Sequence, residues 1–438
     1  MLTESNKIVM IDDKEEDLSR LSQVFYNKGI GCKQIIYDPL FAFPLTGVRL
    51  LFLDINLNNA QSEQQRNSTL KDAITRYIHE DNGPYVLVLW TTNIEWIESF
   101  KSFVQRDNDE NFIKHSPFYI ANIDKTELLT DEKFEDKISQ IFGDSAVRLI
   151  FEYENIMSDV VDQTISKLIN LIPKGNVWEN NVTFDENCKK VFSSIAIQTT
   201  GYPLAKENPD YAIKEALIPI LSNAFRHSQK VVLNSIFFDE LKKSSRNTFQ
   251  FPRHFKTSKL NKLFNIHHCE NITRETRGAV CPILLGNNDD LERYIFKDKF
   301  GYTANEWSKL TLAKNVPQEE FANIKIICVE FSAACDFSQQ KKRTHKYLLG
   351  IIISPEKFDE FPNVGKMSEA ILVLPNTYEI AGEEKLILFN LNFSFTISKT
   401  LVNEFIDVPI FCFQKEMMDM IGHCYSNHHS RIGITTFR

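Results

Sequence analysis

The chain has 438 residues, 43% of them hydrophobic and 25% charged, with only 15 Gly and 15 Pro, which is the balance of a globular protein and excludes a disordered or fibrous one. At roughly 150 residues per domain, this length asks for two or three cores. A net charge of -8 excludes a surface that is one continuous nucleic-acid footprint, because neutralising phosphates takes a surplus of Lys and Arg.

The first residues, MLTESNKIVMI, carry no basic segment followed by a long apolar run. No later stretch approaches the ~20 apolar residues of a membrane helix. The expectation is a cytoplasmic chain without a membrane partner. Its eight cysteines stand at irregular distances, which fits reduced and mostly buried thiols better than a disulfide framework.

Residues 7–142 alternate apolar, β-branched runs with amphipathic segments. The runs Lys7 to Ile11, Gln34 to Tyr37, Val48 to Leu53, Tyr85 to Leu89 and Pro117 to Ala121 are expected strands. They are too uniformly apolar to have one wet face, so they predict a parallel sheet covered by helices on both sides. In such sheets polar chemistry collects at the carboxyl ends of the strands.

Those ends carry Asp12 and Asp13, then Asp54, then Thr91 and Thr92, then Lys125. Carboxylates gathered at one point repel one another unless a hard cation lies among them, and Mg2+ accepts such oxygens. Asp12, Asp13 and Asp54 with the carbonyl of Asn56 are the expected metal ligands. Asp54 is the expected nucleophile toward phosphorus, with Lys125 and Thr91 receiving the charge of the transferred group.

The ordered set IDD at 11–13, LFLDIN at 51–56, VLWTT at 88–92 and DK at 124–125 resembles the receiver domains of two-component response regulators, over about residues 5–143. The resemblance implies a flavodoxin-like (βα)5 fold, phosphorylation of Asp54 by a histidine kinase with Mg2+, and a switch through Thr91 to Trp96 in which Trp90 and Trp96 are candidate aromatics. Three features depart from the family. The loop from Leu57 to Ser68 is long and Asn/Gln-rich, Thr126 stands where a Pro is usual, and DPLFAFPLTG is too short and Pro-broken for a second helix.

Apolar positions from Val147 to Leu171 recur at three- and four-residue steps until Pro173, predicting a helical linker over 144–173 able to dimerise or to lie on a neighbouring core. Within 174–323, a mixed helical region, residues 216–228 read as an amphipathic helix interrupted at Pro219. No Gly-rich phosphate loop follows it. Residues 241–263 are basic with interleaved Phe, either a solvated loop or a nucleic-acid face.

His267, His268, Cys269 and Cys281, and His423, Cys424, His428 and His429, lack the paired spacing of zinc sites. From Ile324 to the end, five apolar runs and a final helix predict a small barrel-like or sandwich domain. Cys335, Asp336 and Arg431 are the candidates there for an enzymatic output, the rival reading being an effector gated by the N-terminal domain.

The whole arrangement, an α/β start, a helical linker and an α+β region ending in a β-rich domain without a DNA-binding motif, resembles receiver proteins of bacterial antiphage conflict systems such as the Detocs type. That resemblance implies a phosphorelay intermediate or buffer. Its expected partners are a histidine kinase, a downstream receiver or effector protein and a second copy of the chain, but not nucleic acid.

Overall fold

The computed structural model describes residues 7–93, 95–106, 109–125, 136–138, 140–141, 143, 146–174, 182–228, 251–267, 272–284, 293–332 and 344–430. They fall into two compact units, 1–171 with 220–244 and 172–219 with 245–438.

The first unit is built on five strands, β1 (Ile8–Asp12), β2 (Lys33–Ile36), β3 (Leu50–Leu53), β4 (Val86–Thr91) and β5 (Tyr119–Asp124), in the order 2-1-3-4-5. Every neighbouring pair is parallel. The uninterrupted apolar strands bury both faces: Val9, Ile11, Leu51, Leu53, Leu87 and Leu89 enter one core, and Met10, Phe52, Val86 and Val88 the other. Helices α1 (Glu15–Asn27), α2 (Glu63–Tyr77), α3 (Glu95–Arg106) and α4 (Glu110–His115) supply the covering layers.

Three sequence expectations are adjusted here. The third strand starts at Leu50, because Arg49 and Leu50 both donate their N–H groups to Lys7 O and bend the entry. The fifth runs on to Asp124, since Ile123 is buried and pairs with Trp90. The loop expected to reach Ser68 ends at Ser62, whose side chain accepts from Gln65 N–H and caps α2. What precedes that cap is a tight turn in which Asn58 and Asn59 take left-handed backbone angles, φ 56° and 48°. Asn tolerates that region better than most residues.

No helix separates β2 from β3 among the described residues, and Leu40, Phe41 and Phe43 in that connection are exposed. The long helix α5 (Ala146–Asn170) follows the periodicity read from the sequence. Glu154 on it takes two hydrogen bonds from Arg49, whose remaining guanidinium donor reaches the Val48 and Asn82 carbonyls.

The second unit holds an eight-stranded sheet. Its strands are β6 (Ile266–His267), β7 (Ala279–Pro282), β8 (Lys325–Glu330), β9 (His345–Ile353), β10 (Ile371–Val373), β11 (Tyr378–Ile380), β12 (Glu383–Ile397) and β13 (Phe411–Phe413). The order is 10-12-9-8-7-13-6, with β11 also on β12, and its paired strands are antiparallel.

The sheet draws β6 and β7 from before residue 324. It is one sheet buried on both faces, instead of the barrel or sandwich expected from short strands alone. Trp307, on the helix Ala304–Leu312, packs on one face, and Met417, Met418 and Ile421, on the helix Lys415–His429, pack on the other. At Gly350 a Cβ would lie 2.5 Å from Leu388 O, so only glycine admits the β9–β12 approach there.

Pro219 does not interrupt its segment: the helix Pro209–Arg226 runs through it. Proline costs an interior hydrogen bond. Burial on either side outweighs that loss, with Ala212 and Ala216 buried before Pro219 and Ala224 packed near Ile156 and Val160 after it.

Candidate functional site

Parallel strands in register bring four strand ends to one edge of the first unit's sheet. Asp12 closes β1 and Asp13 follows it, Asp54 follows β3, Thr91 closes β4, and Lys125 follows β5. Lys125 N–H donates to Thr91 O, which ties the last two ends together.

Oxygens of Asp12, Asp13 and Asp54 lie within 4.8 Å of one another. Lys125 Nζ is 2.8 Å from Asp12 Oδ2, 3.0 Å from Asp17 Oδ2 and 3.3 Å from Asp54 Oδ1. Its ammonium also lies 4.7 Å from the centre of the Trp90 ring. Asp12 is fully buried, and Asp54 and Thr91 nearly so. Asp54, Thr91 and Lys125 border a cavity of about 340 Å³ that also takes in Lys14, Asp17, Arg20, Asn56, Thr92 and Asn93.

Burial is the largest influence on the titration of Asp12 and Asp54. It lifts Asp12 to about 6, with Lys125 opposing it and the neighbouring Asp54 charge adding to it. Burial likewise raises Asp54, against the pull of Lys125 and a hydrogen bond from Asn56 N–H. For Lys125 burial works downward, but Asp54 and Asp12, with Asp17, outweigh it and hold the ammonium above its ordinary value. The cluster therefore carries more negative charge than one lysine neutralises.

That imbalance fits a divalent cation. Asp13 Oδ1 and Asn56 Oδ1 are buried without a hydrogen-bond partner among the described residues, an arrangement that is costly unless something else binds them. The donors are all oxygens, the set that hard cations such as Mg2+ prefer. Asp13 Oδ2 accepts from Asn58 N–H at 2.9 Å, so the left-handed turn after Asp54 is fastened to the same acid.

Thr91 stands ready as a donor. Asn93 N–H donates to its Oγ1 at 3.0 Å, which leaves the hydroxyl proton for another acceptor. Thr92 is exposed beside it. Trp90 is buried core, whereas Trp96 is partly buried with the Arg66 guanidinium 4.0 Å above its ring.

Asp17 was absent from the expected set. It is the third of three acids in the first turn of α1, a pattern that reads as ordinary complementation of the helix dipole. The useful signal is its place in the first turn of a helix that begins two residues after Asp13, which keeps its side chain beside the strand ends.

The other candidates do not assemble. His423 and Asn427, His428 and Asn392, and His429 and Leu391 O are paired by hydrogen bonds. Among the described residues the aspartate cluster alone groups three or more metal-type ligands. Cys335, Asp336, Arg431, His268, Cys269, Thr126 and residues 241–250 lie outside the described residues. No described helix is long and apolar enough to cross a membrane.

No family model, curated protein or solved structure matches the chain. The fold and site by themselves define a parallel five-stranded α/β unit with an acidic cluster, consistent with a receiver domain and able to hold a metal ion.

Proposed function

We propose that this chain is a two-component signalling protein whose first unit accepts a phosphoryl group on Asp54 from a histidine kinase. The observation that carries the reading is the convergence of Asp12, Asp13 and Asp54 within 4.8 Å, with Lys125 Nζ 3.3 Å from Asp54. An inert α/β domain has no need to bury Asp12 and Asp54 beside one lysine and gather Asp13 with them.

In the proposed transfer an Asp54 carboxylate oxygen attacks phosphorus and forms an acyl phosphate. The P–N bond of the donor phosphohistidine breaks, and its electron pair returns to the imidazole nitrogen. Lys125 faces the carboxylate and is placed to neutralise the equatorial oxygens of the arriving group, and the Thr91 hydroxyl to donate to one of them. Asp12, Asp13 and Asn56 would hold Mg2+, which when bound supplies positive charge to the same oxygens.

An intermediate or buffer in a relay, of the kind found in antiphage systems, fits a receiver-like unit joined to a β-rich unit that would bind a downstream protein. The test is loading with acetyl phosphate in Mg2+, read by intact mass. One phosphoryl on the wild type, none on Asp54→Asn and none with a chelator are expected; equal loading of Asp54→Asn overturns the assignment.

A further inference from the structure

Residues 251–256, Phe-Pro-Arg-His-Phe-Lys, are exposed without a break, yet they are ordered by a turn. Phe255 N–H donates to Pro252 O at 2.8 Å, which folds the segment back and places Arg253 and His254 at its tip. The fold brings the two flanking rings together. Phe251 and Phe255 stack with centroids 4.9 Å apart and planes 6° from parallel, while remaining 58% and 45% exposed.

The segment is anchored behind by the helix Thr257–Asn265. Ser258 donates to Glu384 at 2.8 Å, Asn261 donates to Thr377 O, and Lys259 and Lys262 face Glu379. Those two lysines are thus partly neutralised. Arg253, His254 and Lys256 enter no ion pair or side-chain hydrogen bond with a described residue.

We propose that this turn is a binding site for single-stranded nucleic acid. A pair of parallel rings exposed to water costs free energy that stacking of another planar ring recovers, and every nucleobase has such a face. Arg253, two residues from each ring, and Lys256, next to Phe255, are both without a partner among the described residues and match the phosphate spacing problem of a single strand, where charge must follow the bases closely. A membrane surface is disfavoured by the same geometry, because inserting the turn would carry the charged tip into the apolar layer first. The chain's net charge of -8 makes this a local site and not a general affinity for polyanions.

The experiment is fluorescence anisotropy of the full chain with a labelled oligo-dT and an oligo-U, a duplex of equal length, and vesicles rich in anionic lipid. Single strands should bind, duplex should bind more weakly and vesicles not at all. Phe251→Ala with Phe255→Ala should weaken binding roughly tenfold or more. Arg253→Ala with Lys256→Ala should lower the slope of log affinity against log salt by about 1.4. All four side chains are exposed, and the stacked rings carry no core, so circular dichroism and melting should match the wild type. The proposal is overturned by no binding at low salt, by binding that the ring substitutions leave unchanged, or by vesicle binding without oligonucleotide binding. It stands apart from the Asp54 reading, since Asp54→Asn should leave oligonucleotide affinity intact.

Discussion

Lys125 Nζ lies closer to Asp17 Oδ2, at 3.0 Å, than to Asp54 Oδ1, at 3.3 Å. The cation opposite the proposed acceptor is therefore shared with a carboxylate on α1 that takes no part in the transfer. Asp17 also adds negative charge to the cavity that the phosphoryl group would enter. Asp17→Asn should accelerate loading by acetyl phosphate by roughly fivefold, the scale of one charge-assisted hydrogen bond of ~1 kcal/mol redirected to the incoming group. Slower loading of a folded Asp17→Asn protein would instead make Asp17 a positioning residue for Lys125.

The same cluster makes opposite predictions for stability at its two ends. Removing the Lys125 ammonium leaves Asp12 and Asp54 buried without their cation, and such uncompensated charges cost about 3–5 kcal/mol. Asp54→Asn relieves a carboxylate that burial already disfavours, and should stabilise the metal-free protein by on the order of 1 kcal/mol. Urea unfolding in chelator at neutral pH reads both. Shifts of the same sign for Lys125→Ala and Asp54→Asn would contradict the charge balance drawn from the geometry.

Much of this site was legible because each acid ends an apolar run. Val9, Ile11, Leu51 and Leu53 have nowhere to go but the two faces of a sheet, and that places Asp12 and Asp54 at its edge. Asp17 was hidden by chemistry shared with helix capping. The sheet of the second unit was legible in its long strands, such as Lys325–Glu330 and His345–Ile353, but not in β6, which has two residues. Pairing so short is decided by what lies beside it, here Cys412 and Phe413 of β13, and not by local propensity. Pro219 misled for a related reason, since the penalty of one proline is local and the burial that offsets it is not.

Proton linkage gives a third expectation. Asp12 in the folded, metal-free protein titrates near 6, above its usual value of 3.8. A raised carboxylate pKa means the native state holds the proton more tightly than the unfolded chain. Its contribution to stability is then fully present below about pH 4 and is lost as pH rises through 6. Mg2+ should act in the opposite sense, because it competes with that proton: the rise in melting temperature on adding Mg2+ should be small at pH 5 and large at pH 7.5. An equal rise at both pH values, or an equal one in Asp12→Asn with Asp54→Asn, would place the cation elsewhere.

The arm α5 offers a prediction away from the site. Arg49 Nε and Nη2 both donate to Glu154 Oε1, at 2.9 and 2.7 Å, and Lys7 Nζ donates to the neighbouring Asn155. Lys7 and Arg49 precede β1 and β3, at the ends opposite Asp12 and Asp54, so the helix is held to the far edge of the sheet from the acids. Glu154→Ala leaves Arg49 its bonds to the Val48 and Asn82 carbonyls and should cost about 1 kcal/mol. Arg49→Ala also takes its donor from the Asn82 carbonyl, while Val48 O keeps the Asn82 Nδ2 donor, and should cost about 2 kcal/mol. Hydrogen exchange over residues 146–170 separates docking from general stability. Both variants should speed exchange in α5 more than in β3 or β4, and the double variant should show less than the sum of the two single effects, because they share one contact. Uniform acceleration through the whole unit would mean that α5 belongs to the core of the sheet and is not an arm held by a polar clasp.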